Sequence, residues 1–193
     1  SSSAASDVYK RQRILDWNDR STCVLFGDGA GAALLQKTNS GGVLGSWIKS
    51  DGRGSEVIQI PAGGVRIPFG SENFSEEQKY FQMDGRAVWD FAVEAFPEAV
   101  NSVLEKVRMD IEDVDIIIPH QANLRIIEAG MNKLGLKMDK AYTNIERYGN
   151  TAGASIPIAL KEAVDTKRVE AGNLVITVGF GGGLSWGANA IIW

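Results

Sequence analysis

The stretch from Ile116 to Asn123, Ile-Ile-Ile-Pro-His-Gln-Ala-Asn, constrains the fold more than any other. Three branched apolar residues in a row specify a buried strand. Pro119 stops it, because proline has no N–H to give a ladder. His120, the only histidine of the chain, follows at once, and a helical pattern begins directly after it. A titratable ring thus stands where a buried strand gives way to a helix, the place where open α/β sheets bind ligands. The rest of the chain repeats the alternation. Strand patterns occupy Thr22–Phe26, Val43–Lys49, Glu56–Ile60, Asp115–Ile118, Asn173–Val178 and Leu184–Ile192, with a short one at Thr143–Ile145. Val88, Ala92, Phe96 and Val100 recur every four residues, and Val93, Val103, Leu104 and Val107 widen this helical stripe. Pro97 is expected to bend or loosen that helix. Leu124, Ile127, Met131 and Leu134 give a second helix its apolar face, with Gly135 as its C-cap. A third carries Ile158, Ala159 and Ala163. The alternation specifies an α/β fold with a largely parallel sheet. Pro61–Phe81, rich in glycine, reads as an irregular surface excursion.

With 193 residues, 44% hydrophobic and 23% charged, the chain is long enough for one domain with a real core. A net charge of -4 and a pI near 5.1 argue against nucleic acid or an anionic membrane as partner. No apolar run reaches the roughly 18 residues of a membrane span, and the N-terminus lacks the apolar core of a signal peptide. A single cysteine provides no disulfide framework and suits a reducing cytoplasm. Residues 1–12 are small, polar and aperiodic; they are expected to lie outside the fold as a tail or scar, with folded sequence beginning at Arg13 and one domain over 13–193.

Three loops carry unusual chemistry: Pro119-His120-Gln121, Tyr148-Gly149-Asn150-Thr151, and Gly179 to Gly183. In a parallel sheet such loops gather at one end. His120 can serve as acid, base or donor near neutral pH, and Asn150 supplies an amide donor that does not titrate. The glycine run lets backbone N–H groups approach a ligand with no side chain in the way. Together they would make an oxyanion-binding site; separately they would be a capped histidine, a turn asparagine and a glycine turn. No second histidine and no nearby cysteine supports a metal at His120. No Gly-Lys-Ser/Thr sequence marks a P-loop. Gly27-Asp28-Gly29-Ala30-Gly31-Ala32 matches a dinucleotide fingerprint but opens no long helix, and two short strands across a glycine turn fit it better. Cys23 lies within a strand pattern and is expected to be a small buried hydrophobe. No serine stands in a nucleophile-elbow pattern, so an acyl-transfer site here would lack its nucleophile.

These motifs resemble the C-terminal half of the β-ketoacyl-acyl-carrier-protein synthase III family, within the thiolase-like condensing enzymes. The likeness is carried by Asp19-Arg20, Phe26 to Ala32, Met83-Asp84-Gly85, Pro119 to Ile127, Tyr148 to Ser155 and Gly179 to Gly187, in that order. It runs from about Arg13 to Trp193. The resemblance implies a thiolase-like fold, with strands and helices alternating around a mixed, largely parallel sheet that bears helices on its faces. It implies decarboxylative condensation of acyl-CoA with malonyl-acyl-carrier protein, the step that initiates fatty acid synthesis, with both as substrates and no cofactor. By position His120 and Asn150 match the malonyl-activating pair, Gly182 the backbone donor for the acyl-cysteine carbonyl, and Phe180 the ring beside the nucleophile. Trp89, Ala122, Asn123 and Ile126 fall where the family lines its CoA and pantetheine channel. Arg125 falls where it docks the carrier protein, with Lys133, Lys137, Lys140 and Arg147 able to extend the patch. Asp90 departs from the pattern, since a basic docking residue is expected there. The cysteine-bearing N-terminal half is expected to be missing, Cys23 being in the wrong motif, so this chain alone should be catalytically incomplete. The full-length enzyme is expected to be a cytoplasmic homodimer. The readings that compete are a stand-alone, non-catalytic CoA- or carrier-binding module and a thiolase-like synthase of polyketide type.

Overall fold

In a computed structural model, residues 2–9 are described for their backbone and residues 13–193 in full. Among the described residues the strands and α-helices are, in order, β1 (Ser2–Tyr9), β2 (Gly29–Gln36), β3 (Gly42–Ser50), β4 (Ile58–Gln59), β5 (Gln82–Met83), α1 (Gly85–Val107), β6 (Ile116–Pro119), α2 (Leu124–Lys133), α3 (Ile145–Tyr148), α4 (Ser155–Asp165), β7 (Leu174–Gly181) and β8 (Ser185–Ile192). The central sheet has the order β3-β8-β7-β6. It is mixed: β6 and β7 pair in parallel, while β7–β8 and β8–β3 are antiparallel.

Alternation along the strands divides the core between the two faces of this sheet. Ile117, Ile176, Val178, Phe180, Trp186, Ala188 and Ala190 face α1 and α2, where Phe96, Val100, Val103, Ile127 and Met131 complete one cluster. Ile116, Ile118 and Val175 face the other way, onto Ala159 and Ala163 of α4 together with Tyr142 and Val169. The sheet is therefore covered by helices on both faces, and that is why Ile116–Ile118 is apolar without alternation. Asp84 starts α1 by accepting the N–H groups of Arg86 and Ala87 at 3.0 Å each. Pro97 stays within α1 without ending it.

Several local expectations need correction. Thr22–Leu25 is a turn, with Phe26 in an isolated bridge to Asn150, and the segment is not a strand, because Asp19 captures it. Its carboxylate accepts from Ser21 N at 2.9 Å and from Thr22 Oγ1 at 2.7 Å, and its carbonyl accepts from Cys23 N. The glycine string does not turn the chain; Gly29 and Gly31 lie inside β2. Thr143–Ile145 forms no strand, because Gln121 Oε1 takes the Asn144 N–H at 3.0 Å and α3 starts next to it. Of Glu56–Ile60 only Ile58–Gln59 pairs, with β5. Gly135, at φ +72, follows Leu134, the residue that caps α2. Residues 1–12, expected outside the fold, contain β1, which runs antiparallel to β2. Among the described residues no helix is long and apolar enough to cross a membrane.

Candidate active site

The parallel pair β6–β7 aims the loops after both strands to one end of the sheet. His120 continues β6 by donating its N–H to Val178 O at 2.8 Å. Its ring is fixed on two sides. Nδ1 lies 2.6 Å from Ser155 Oγ, and Phe180 of β7 meets the ring edge-to-face at 5.6 Å. Gln121, 1% exposed, stiffens the turn: its Nε2 donates to Pro119 O at 2.8 Å and Tyr142 O at 3.1 Å. A buried amide whose partners are all backbone groups locks the chain around it.

Asn150 arrives from the opposite side. Its N–H donates to Leu25 O and its carbonyl accepts from Gly27 N, each at 3.0 Å, so the Asp19-captured turn supports the loop. Ala152 N–H donates to Asn150 Oδ1 at 2.8 Å. A backbone N–H can only donate, so this contact fixes which arm of the amide is oxygen and leaves Nδ2 as the outward arm. Ala152 holds φ +54, an uncommon conformation for a residue with a Cβ, and its N–H is what anchors the amide.

A second anchor lies behind Asn150. Glu162 of α4 accepts from Tyr148 Oη at 2.6 Å, and from Asn144 Nδ2 and Arg147 at 2.8 Å each. These bonds tie α3, which leads into Gly149 and Asn150, to α4. Burial alone would raise the Glu162 pKa, but the bonds from Tyr148 and Asn144 and the charge of Arg147 outweigh it and hold the carboxyl below its ordinary 4.5. A lowered carboxylate contributes stability above its unfolded-state pKa and loses it as pH falls through the folded value. Glu162→Gln should therefore lower the Tm most at neutral pH, and the two melting curves should converge as pH drops below about 4.5. A constant difference across that range in thermal melts would show that the ionised carboxylate is not what matters.

His120, Asn150 and Gly182 border one cavity of about 240 Å³, together with Trp89, Phe91, Ala122, Asn123, Ile126 and Phe180. Every residue expected in the catalytic site or the channel is on that wall. Asn123 also caps α2, its Oδ1 accepting from Arg125 N at 2.9 Å. A second cavity, of about 300 Å³, is lined by His120, Ala152, Gly153, Ile156 and Gly179–Gly182, so the histidine and the glycine strap border both. Sequence reasoning missed Leu25, Phe26, Ile58, Phe81 and Met83, which close the first cavity from the N-terminal side. It also gave no role to Ser155, although the residue stood in a motif already singled out.

Cys23 is half-buried and lies off the walls of these cavities, with Sγ 4.0 Å from Trp17 O. It is less enclosed than the buried hydrophobe its pattern suggested. Arg125 is exposed on the first turn of α2, beside the cavity residues Asn123 and Ile126. The cations thought to extend its patch are largely engaged: Lys133 pairs with Glu94, Lys140 donates to Val114 O at 2.6 Å, and Arg147 pairs with Glu162. Asp90 lies 4.0 Å from Arg86. Among the described residues no group of His, Cys, Asp and Glu could hold a metal ion.

Sequence profiles match twice. That of the 3-oxoacyl-[acyl-carrier-protein] synthase III C-terminal domain fits residues 104–193, and that of 3-oxoacyl-[acyl-carrier-protein] synthase III fits residues 5–52. The chain belongs to the β-ketoacyl-acyl-carrier-protein synthase III family. The second match begins inside the segment expected to lie outside the fold. The synthase III of Caldanaerobacter subterraneus subsp. tengcongensis is 46% identical over 182 residues, 94% of this chain and 55% of that protein. The chain thus spans about half the length of the curated relatives it matches. The synthase III structure from Thermus thermophilus superposes with a TM-score of 0.90 at 39% identity, covering 100% of this chain and 59% of that one. The priming β-ketosynthase of the R1128 polyketide biosynthetic pathway superposes with a TM-score of 0.88 at 29% identity, covering 99% and 57%. The thiolase-like α/β fold read from the motifs is the fold of these relatives.

Proposed function

We propose that this chain supplies the malonyl-activating part of a β-ketoacyl-acyl-carrier-protein synthase III, an acyltransferase that initiates fatty acid synthesis by condensing acyl-CoA with malonyl-acyl-carrier protein. The observation that carries the reading is the convergence of His120 and Asn150 on one cavity with their donor arms fixed from behind. Loss of CO2 from a malonyl thioester places negative charge on the thioester oxygen. Two neutral donors aimed at that oxygen stabilise the enolate as it forms and need no reorganisation to do so. The carbanion then attacks an acyl thioester on a cysteine: a carbon–carbon bond forms, the carbon–sulfur bond breaks, and the thiolate leaves. In this reading the acyl-bearing cysteine comes from the part of the relatives' length that this chain does not span, and the Gly182 N–H faces the acyl carbonyl. Cys23 lies off the cavity and takes no part. This chain alone should therefore show no condensation. The reading calls for no resident cofactor and has the full-length enzyme work as a cytoplasmic homodimer.

Trp89, Ala122, Asn123 and Ile126 form the approach for the pantetheine arm, and exposed Arg125 meets the acidic carrier protein at its mouth. With -4 net charge, an acidic partner depends on such a local positive group. Arg125→Glu in the full-length enzyme should raise KM for malonyl-acyl-carrier protein several-fold and leave KM for acyl-CoA unchanged. Steady-state kinetics with each substrate varied in turn decides it; an unchanged carrier KM removes Arg125 from the docking surface. The 39% identity to the synthase III structure from Thermus thermophilus, against 29% to the polyketide priming ketosynthase, supports the synthase III reading over the polyketide type.

The decisive experiment on the reaction itself is decarboxylation measured apart from acyl loading, in His120 and Asn150 variants.

A further inference from the structure

Ser155 opens α4 behind the His120 ring and is 2% exposed. Its Oγ lies 3.2 Å from Gln121 N and 2.6 Å from His120 Nδ1. The Gln121 N–H can only donate, so the hydroxyl accepts there. That leaves Ser155 one proton to place, and among the described residues the acceptor within reach of it is His120 Nδ1, at 2.6 Å. If Nδ1 carried a proton, the buried hydroxyl would accept twice and its own proton would lack this acceptor, which buried polar groups avoid. With the proton on Nε2, the chain Gln121 N–H to Ser155 Oγ–H to His120 Nδ1 is satisfied in one direction throughout.

We propose that Ser155 is the positioning residue that sets the tautomer of His120, holding Nδ1 as an acceptor so that Nε2 carries the N–H. A second-sphere hydrogen bond commonly decides which imidazole nitrogen is protonated. The frame around it is rigid: Gln121 is pinned to Pro119 and Tyr142, and His120 N to Val178. These bonds fix the backbone that carries the ring, and Phe180 packs edge-to-face against the ring itself at 5.6 Å. The tautomer itself stands on this geometry; that the Nε2–H then meets a thioester oxygen rests on the function proposed above.

Because His120 is the only histidine of the chain, a two-bond 1H–15N correlation spectrum of its imidazole needs no assignment. The expected pattern is protonated Nε2 and bare Nδ1. Ser155→Ala should add an Nδ1–H population, and Ser155→Thr, which keeps the hydroxyl, should restore the original pattern. An Nδ1–H form in the parent chain, or a tautomer unmoved by Ser155→Ala, overturns the proposal. In the full-length enzyme Ser155→Ala should slow malonyl decarboxylation by about tenfold, the usual cost of losing a partner that orients a functional histidine. Ser155→Thr should recover most of that loss. A tautomer shift with decarboxylation unchanged would support the role of Ser155 and count against the thioester reading, so the two can fail separately.

Discussion

His120→Ala and Asn150→Ala should each slow malonyl-thioester decarboxylation by about 10²–10³ in the full-length enzyme while leaving acyl loading from acyl-CoA intact. The size follows from where the charge develops. The thioester oxygen is nearly neutral in the bound substrate and gains charge only as CO2 leaves, so each donor acts mainly on the transition state. The separation of the two half-reactions follows from position: both side chains meet in the cavity that also holds Trp89, Ala122 and Ile126, the proposed pantetheine approach. The double variant should fall short of the product of the single effects, since either donor alone leaves the other poorly directed. CO2 release from malonyl-acyl-carrier protein measures one half-reaction, and acyl transfer from labelled acyl-CoA to the protein measures the other. Loss of loading in either variant would assign that residue to nucleophile activation instead.

A single methyl group at Gly27 should be nearly as damaging, although Gly27 lies outside the cavity wall. A Cβ there would stand 2.0 Å from Tyr148 O, a backbone atom that cannot rotate away. The two strands of chain meet because Gly27 N donates to Asn150 O and Asn150 N to Leu25 O. Relief of the clash must push Tyr148–Asn150 off the Leu25–Gly27 segment and carry the Asn150 amide with it. Gly27→Ala should cost about 1–3 kcal/mol of stability, as overpacking does. A shift near 1 Å at a catalytic donor can cost about 100-fold in rate, so decarboxylation should fall toward that of Asn150→Ala. Gly52→Ala, where a Cβ meets nothing within 4 Å, is the matched control and should change neither property much. Full decarboxylation in Gly27→Ala, with the protein folded, would mean that this contact does not position Asn150.

The parts of the fold visible in the sequence were those whose signal is local. Ile116–Ile118 is apolar on both faces because helices cover both faces, and α1 shows its buried stripe at the expected spacing. The parts that misled were those settled by hydrogen bonds that the residue pattern does not reveal. Thr22–Phe26 has strand-like residues, yet the Asp19 carbonyl takes the N–H groups of Thr22 and Cys23, and Phe26 alone reaches an isolated bridge, with Asn150. Thr143–Ile145 was lost to the Gln121 amide, 23 positions away from Asn144. The site divides the same way. His120, Asn150 and the glycine run announced themselves by residue type. The partners that aim them, Ser155, Gln121 and Glu162, are ordinary residues whose roles exist only once the chain brings α4 and the 142–148 segment beside the end of β6. Likewise, Leu25, Phe26 and Phe81 look like core residues until the chain brings them to the cavity wall.

The roles proposed for His120 and Asn150 depend on where a malonyl thioester places its oxygen. A structure of the full-length enzyme with a non-decarboxylating malonyl-thioester analogue measures that directly. The prediction is a thioester oxygen within about 2.7–3.1 Å of both His120 Nε2 and Asn150 Nδ2, with the pantetheine arm running past Trp89 and Ile126. A thioester bound with its oxygen against other donors, and with His120 and Asn150 facing only water, would contradict it.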